Sequence, residues 1–137
     1  VNLAARLEAS AKQYGIYIQV SESTYKVVKD KFDWRFLDYV RVKGKQLPVK
    51  VYELIAEKGK MNDTDKAVIE AFSQAQELYF KQDWDNAING FKEGKELEDM
   101  FPGRSENPSN VYLKRCYQLK EDPPEKDWDG VWVLTKK

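Results

Sequence analysis

Histidine is missing from this 137-residue chain, and cysteine occurs once, as Cys116. The first absence excludes histidine general bases and serine–histidine triads. Together the two exclude a disulfide within the chain and a Cys/His zinc site. No apolar run approaches the roughly 18 residues of a membrane span. The N-terminus has no basic stretch leading into an apolar one, so no signal peptide is expected. Neither sign of charge is in excess: 23 Lys+Arg stand against 23 Asp+Glu, which gives no global case for nucleic acid as a partner. What is present suffices for a core. Hydrophobic residues make up 42% and aromatics 13%, in a length that fits one ordinary domain or two small ones.

Neutrality hides an asymmetry. Residues 1–60 carry 12 Lys+Arg and 7 Asp+Glu, a balance of +5, whereas residues 61–137 carry 11 and 16, a balance of −5. This predicts two segments with different roles. The hydrophobic pattern divides near the same place. Leu3 and Leu7, with Ala4 and Ala11 beside them and Gly15 as C-cap, predict an opening helix. Ile16 to Val20 alternate as a strand, and Ser21 is placed to N-cap a short helix through Val28. Phe32, Trp34 and Phe36 alternate with Asp33 and Arg35, predicting a strand that continues to Val42. A turn at Lys43-Gly44-Lys45 and a return strand from Leu47 to Ile55 follow, with Pro48 confined to a strand start or an edge. The order is α-β-α-β-β. The polar stretch 58–65 reads as a linker. Beyond it, helices are expected over 65–81, 84–97 and 108–119, ended by Pro123-Pro124, and then a turn and a short strand at Trp128 to Leu134.

The opening Val1-Asn2-Leu3-Ala4-Ala5-Arg6-Leu7-Glu8 resembles the V-N-x-A-x-R-L-E helix of class III nucleotidyl cyclases, the adenylate and guanylate cyclases. Ile18 to Thr24 resembles the strand and short helix that follow it. Val42-Lys43-Gly44-Lys45, with Pro48-Val49 and Val51 to Leu54, resembles the family's last hairpin. The resemblance covers about residues 1–56. It implies that 1–57 is the C-terminal portion of a ferredoxin-like catalytic domain, that Asn2 and Arg6 are the transition-state pair, and that Lys43 is the polyphosphate lysine. The chemistry of the residues suits those roles. Asn2 and Arg6, four apart, share a helix face. An arginine fork grips phosphate oxygens bidentately, and a lysine at a glycine turn offers a point charge. Taken singly, Asn2 also suits a helix N-cap, Arg6 a solvated charge, and Lys43 a lysine guarding a hairpin edge.

In that family two metal-binding aspartates, and the residues that select the base, lie upstream of the V-N-x-A-x-R helix. The chain therefore reads as a fragment. Its parent is expected to convert ATP or GTP to the cyclic nucleotide and pyrophosphate, as a phosphorus–oxygen lyase, with two Mg²⁺ or Mn²⁺ ions. The fragment alone is expected to hold no metal and to be inactive. Asp33 and Asp38 are expected at solvated strand positions rather than as substitute ligands. A homodimer partner protomer and a cytoplasmic location follow from the same resemblance, the parent being membrane-anchored, if at all, through segments outside this sequence.

Residues 66–137 resemble a tetratricopeptide-like extension of the kind found after some bacterial cyclase domains. Ala75, Leu78, Ala87 and Phe91 fall at the small and large positions of the 34-residue pattern, with Tyr79 and Trp84 bracketing its turn. Ala71 stands where the pattern has its first Trp, and the closing Pro is displaced to Pro102. Trp128 and Trp132 are expected to fill core. The fold class is α+β: a cyclase remnant followed by a helical tail with a short terminal strand. An alternative function is a non-enzymatic interaction module whose tail binds a protein partner.

Overall fold

The computed structural model describes residues 19–42, 47–98 and 106–134. The opening helix, the first residues of the strand after it and the Lys43-Gly44-Lys45 turn lie outside the described residues. Among the described residues the fold is mixed α+β, with four helices and a four-stranded sheet. The elements are β1 (Gln19–Ser21), α1 (Glu22–Val28), β2 (Phe32–Val42), β3 (Val49–Glu57), α2 (Asp63–Phe80), α3 (Trp84–Glu98), α4 (Pro108–Glu121) and β4 (Trp132–Leu134). They form two compact units, a sheet unit (up to Met61, and again from Gly130) and a helical unit (Asn62–Asp129).

The sheet runs β1-β3-β2-β4. β2 and β3 pair antiparallel, as a hairpin requires, with Arg35 opposite Glu53 and Val40 opposite Val49. Pro48 directly precedes β3, where its missing N–H costs no ladder bond. The register slips between Asp33 and Trp34 and again between Phe36 and Asp38. Each slip is a bulge that changes which face the next side chain meets. One face carries half-buried rings. Tyr25 from α1 stacks on Tyr52 at 3.8 Å and meets Trp34 edge-on at 5.3 Å. Ser21 is the N-cap of α1 as expected, but its side chain makes no capping bond; its Oγ instead lies 3.0 Å from Ser23 Oγ.

The helical unit begins earlier than its hydrophobic pattern suggests. Asn62 caps α2 and forms a reciprocal capping box with Asp65, so residues 62–65 are helix start rather than linker. α2 ends in a Schellman motif: Asp83 N–H donates to Leu78 O at 2.9 Å and Gln82 N–H to Tyr79 O at 3.0 Å. Gln82 occupies the left-handed position (φ 65°) usual for glycine. The core is Phe72, Ala75, Tyr79, Ala87, Ile88, Phe91, Tyr112, Leu113 and Cys116, with Trp84 and Trp128 packed against it. Gly94 lets α3 approach α4, since a Cβ there would meet Ser109 Oγ at 2.7 Å.

The expected tail 66–137 is not one block. Trp128 packs in the helical core, whereas Trp132 belongs to β4 and pairs parallel with β2. Local pattern marks a terminal strand but carries no information on which strand it joins.

Candidate functional site

Asn2, Arg6 and Lys43 lie outside the described residues. β2 runs up to Val42, immediately before Lys43, and β3 returns from Val49. Near this end of the hairpin Tyr39 pairs with Lys50, which is exposed, and Arg41 is half-buried. Arg41 and Lys50 are therefore the basic residues that the paired strands place at this end.

The acidic residues of β2 do not lie as the alternation predicts. Asp33 is engaged at the far end of the hairpin. Its Oδ2 accepts from Gly59 N–H at 2.9 Å and its Oδ1 lies 3.7 Å from Lys58 Nζ. Asp38, expected at a solvated position, is fully buried. The bulge after Phe36 breaks the two-residue period and turns it inward, where its Oδ1 accepts from the Tyr39 N–H at 2.8 Å. Among the described residues no three His, Cys, Asp or Glu side chains gather as a metal site.

Sequence reasoning missed the buried ion pair of the sheet. Arg35 Nε donates to Glu53 Oε1 at 2.8 Å, Nη2 donates to the same oxygen, and both side chains are almost wholly enclosed. The signal was available. Folding the hairpin about Gly44 brings residue 35 close to residue 53, and a charge of each sign at those positions marks a cross-strand pair.

The helical unit carries a groove of about 410 Å³ between α2 and α3. Ala67, Ala71, Ala75 and Gly90 leave it open, Leu78 and Leu97 add apolar surface, and Glu70, Gln74 and Glu93 supply its polar groups. Burial pushes the Cys116 thiol up to about 12, against the opposing charge of Arg115, so the thiol is unsuited to nucleophilic work. In the sheet unit burial raises the Tyr52 phenol, reinforced by Tyr25 and Glu22.

No family model matches the chain. No solved structure matches it either. Among curated proteins it is similar to "Adenylate cyclase, terminal-differentiation specific" of Dictyostelium discoideum, 29% identical over 122 residues. That stretch is 86% of this chain and 6% of the relative, so the chain spans a small part of the protein it matches. Because the sheet unit ends at Met61 and resumes only at Gly130, a match of this extent necessarily runs into the helical unit. The similarity suggests a cyclase-related fragment; a bacterial setting finds no support in it.

Proposed function

We propose that this chain is the C-terminal part of a class III nucleotidyl cyclase, whose parent converts ATP or GTP to the cyclic nucleotide with release of pyrophosphate. The observation that carries the reading is the similarity to an adenylate cyclase along 86% of the chain, in a sequence that also bears the V-N-x-A-x-R and V-K-G-K motifs. In this reading residues 1–57 of the sheet unit are a remnant of a ferredoxin-like catalytic domain. The helical unit is tetratricopeptide-like, α2 and α3 joined by the turn at 81–83.

Arg6 grips phosphate oxygens as charge builds on the transferring group, Asn2 orients the ribose by neutral hydrogen bonding, and Lys43 neutralises the outgoing polyphosphate. The described residues do not fit the two divalent ions of such a reaction. Asp33 is committed to Lys58 and Gly59, and Asp38 is buried on the Tyr39 amide. No step is therefore assigned through a metal, and the fragment alone is expected to be inactive. The parent acts as a homodimer in the cytoplasm, its ions coming from residues outside this sequence.

Arg6→Ala in the full-length parent should lower kcat roughly a hundredfold, about 3 kcal/mol, the loss typical of one preorganised donor. Lys43→Ala should act more through KM, because the oxygens it meets are already charged in the ground state. Steady-state kinetics of cyclic nucleotide formation check both, and unchanged rates would remove the reading.

The groove between α2 and α3 favours a second role, an interaction surface of the helical unit for a protein partner. A parent without cyclase activity, whose partner binding is lost in Ala71→Trp, would establish this role over the first.

A further inference from the structure

The helical unit lies in the chain between β3 and β4, two strands of one sheet. β4 is short. Trp132, Val133 and Leu134 pair with Val40, Arg41 and Val42 in parallel, the slightly weaker form of ladder. Three such residues at a sheet edge hold poorly unless the chain is delivered to them. Joining β3 to β4 through an unfolded 58–131 would carry the closure cost of a long loop. With the helical unit folded, the free chain leading into β4 is only the few residues after Trp128.

The delivery has a visible anchor. Trp128 packs on Tyr79 at 5.4 Å and on Trp84 at 5.9 Å, and Trp128 N–H donates to Glu125 O at 3.1 Å. Two residues later Gly130 takes the left-handed conformation, φ 81°, and the chain enters β4. One tryptophan of the segment is thus held by the helical core and the other, Trp132, by the sheet.

We propose that β4 is a conditional strand, docked on Val40–Val42 only while Trp128 is anchored in the helical unit, so that events at the helical unit control the end of β2. β2 leads directly to residue 43. Resting on the nucleotidyl cyclase reading, this makes the helical unit a regulator of nucleotide binding, acting through β4.

Amide hydrogen exchange on the 137-residue chain tests the strand. Trp128→Ala should speed exchange at 40–42 and 132–134 roughly tenfold or more, as local opening does, while 51–53, paired with β1, stays protected. Six glycine and serine residues inserted after Asp129 should do the same several-fold with the helical unit intact. Val133→Pro, which removes a ladder donor, supplies the fully undocked reference. Unchanged exchange at 132–134 in the insertion variant overturns the proposal, as does equal loss of protection across the whole sheet. In the full-length protein Trp128→Ala should raise KM for the nucleotide several-fold. If Lys43→Ala alters neither KM nor kcat, the cyclase reading falls and exchange still decides the strand. If Lys43→Ala impairs the enzyme and Trp128→Ala leaves KM unchanged, control of the site falls.

Discussion

In the helical unit a cluster of rings fills the core, although Glu98 and Arg115 are enclosed there too. Phe72, Tyr79, Phe91 and Tyr112 are fully buried and meet edge-on or stacked at 4.9–6.4 Å. In the sheet unit the enclosed side chains include Arg35, Asp38 and Glu53, while the rings of Tyr25, Trp34, Phe36 and Tyr52 remain half-buried. The ring cluster and the charged cluster of the sheet solve different problems. Rings fill volume and are stabilised by burial and by favourable ring geometry. Buried charges carry a desolvation cost, met by direct pairing, and what they secure is a defined register of the strands. The difference predicts distinct responses to substitution.

Phe91→Ala should produce the largest loss. It removes the ring that touches Phe72, Tyr79 and Tyr112, and truncating a buried aromatic costs about 3–5 kcal/mol. That is a large share of the 5–15 kcal/mol typical of a small domain. Thermal melting followed by near-ultraviolet circular dichroism should show the loss, with no second-site substitution of similar size restoring it.

Glu53→Ala should come close, at about 3–5 kcal/mol, because it leaves Arg35 enclosed without its carboxylate. The comparison sharpens in the double variant. Arg35→Leu with Glu53→Leu should recover most of the stability, since apolar replacement of both partners removes the desolvation cost as well. If Glu53→Ala melts as the parent chain does, the enclosed pair contributes nothing and the contrast between the interiors fails.

Gly90→Ala is expected to act at an intermediate level. A Cβ at Gly90 would sit 2.8 Å from Ala75 Cβ and 3.3 Å from its Cα. The contact is with a side chain that cannot rotate away and with backbone, so α2 and α3 must separate. Overpacking of this kind costs about 1–3 kcal/mol, which exceeds the gain from replacing a helical glycine. A rise in melting temperature would show that the two helices are not held at this spacing.

The parts of this molecule that were legible in sequence are those fixed by near neighbours. The 3.6-residue pattern of Ala75, Leu78, Ala87 and Phe91 marked α2 and α3, and Pro123-Pro124 marked the end of α4. The hairpin was legible because Gly44 sits midway between two alternating runs. What escaped depends on contacts distant in the chain. The bulge that buries Asp38 is a slip of one residue, invisible to a period-two pattern. The parallel pairing of β4 with β2 joins residues about ninety positions apart, and no local preference specifies it. The start of α2 was misplaced for a smaller reason: Asn62 and Asp65 read as polar linker residues, although together they form a capping box. Of the candidate site, Asn2, Arg6 and Lys43 come from the motifs alone; the described structure reaches only Val42, next to Lys43 in the sequence.

The smallest expected effect separates surface charge from the enclosed charge of the sheet. Glu106 precedes the N-terminus of α4, where a negative charge is favoured by the helix dipole. Burial alone would raise its carboxyl. The hydrogen bonds from Asn110 Nδ2 at 2.6 Å, Lys114 Nζ at 3.0 Å and Asn107 N–H at 3.0 Å outweigh that and hold it below its ordinary value of 4.5. A carboxyl lowered on folding contributes stability that is present above its unfolded value and is lost as pH falls through the folded one. Glu106→Gln should therefore lower stability at pH 7 by less than about 1 kcal/mol, as for other partly exposed pairs. It should make no difference once the pH is low enough to protonate the folded carboxyl. Denaturant melts from pH 7 to pH 2 should show the two chains converging on the acid side. Convergence with rising pH instead would mean that the carboxyl is raised on folding, and that burial, not the three hydrogen bonds, sets its charge.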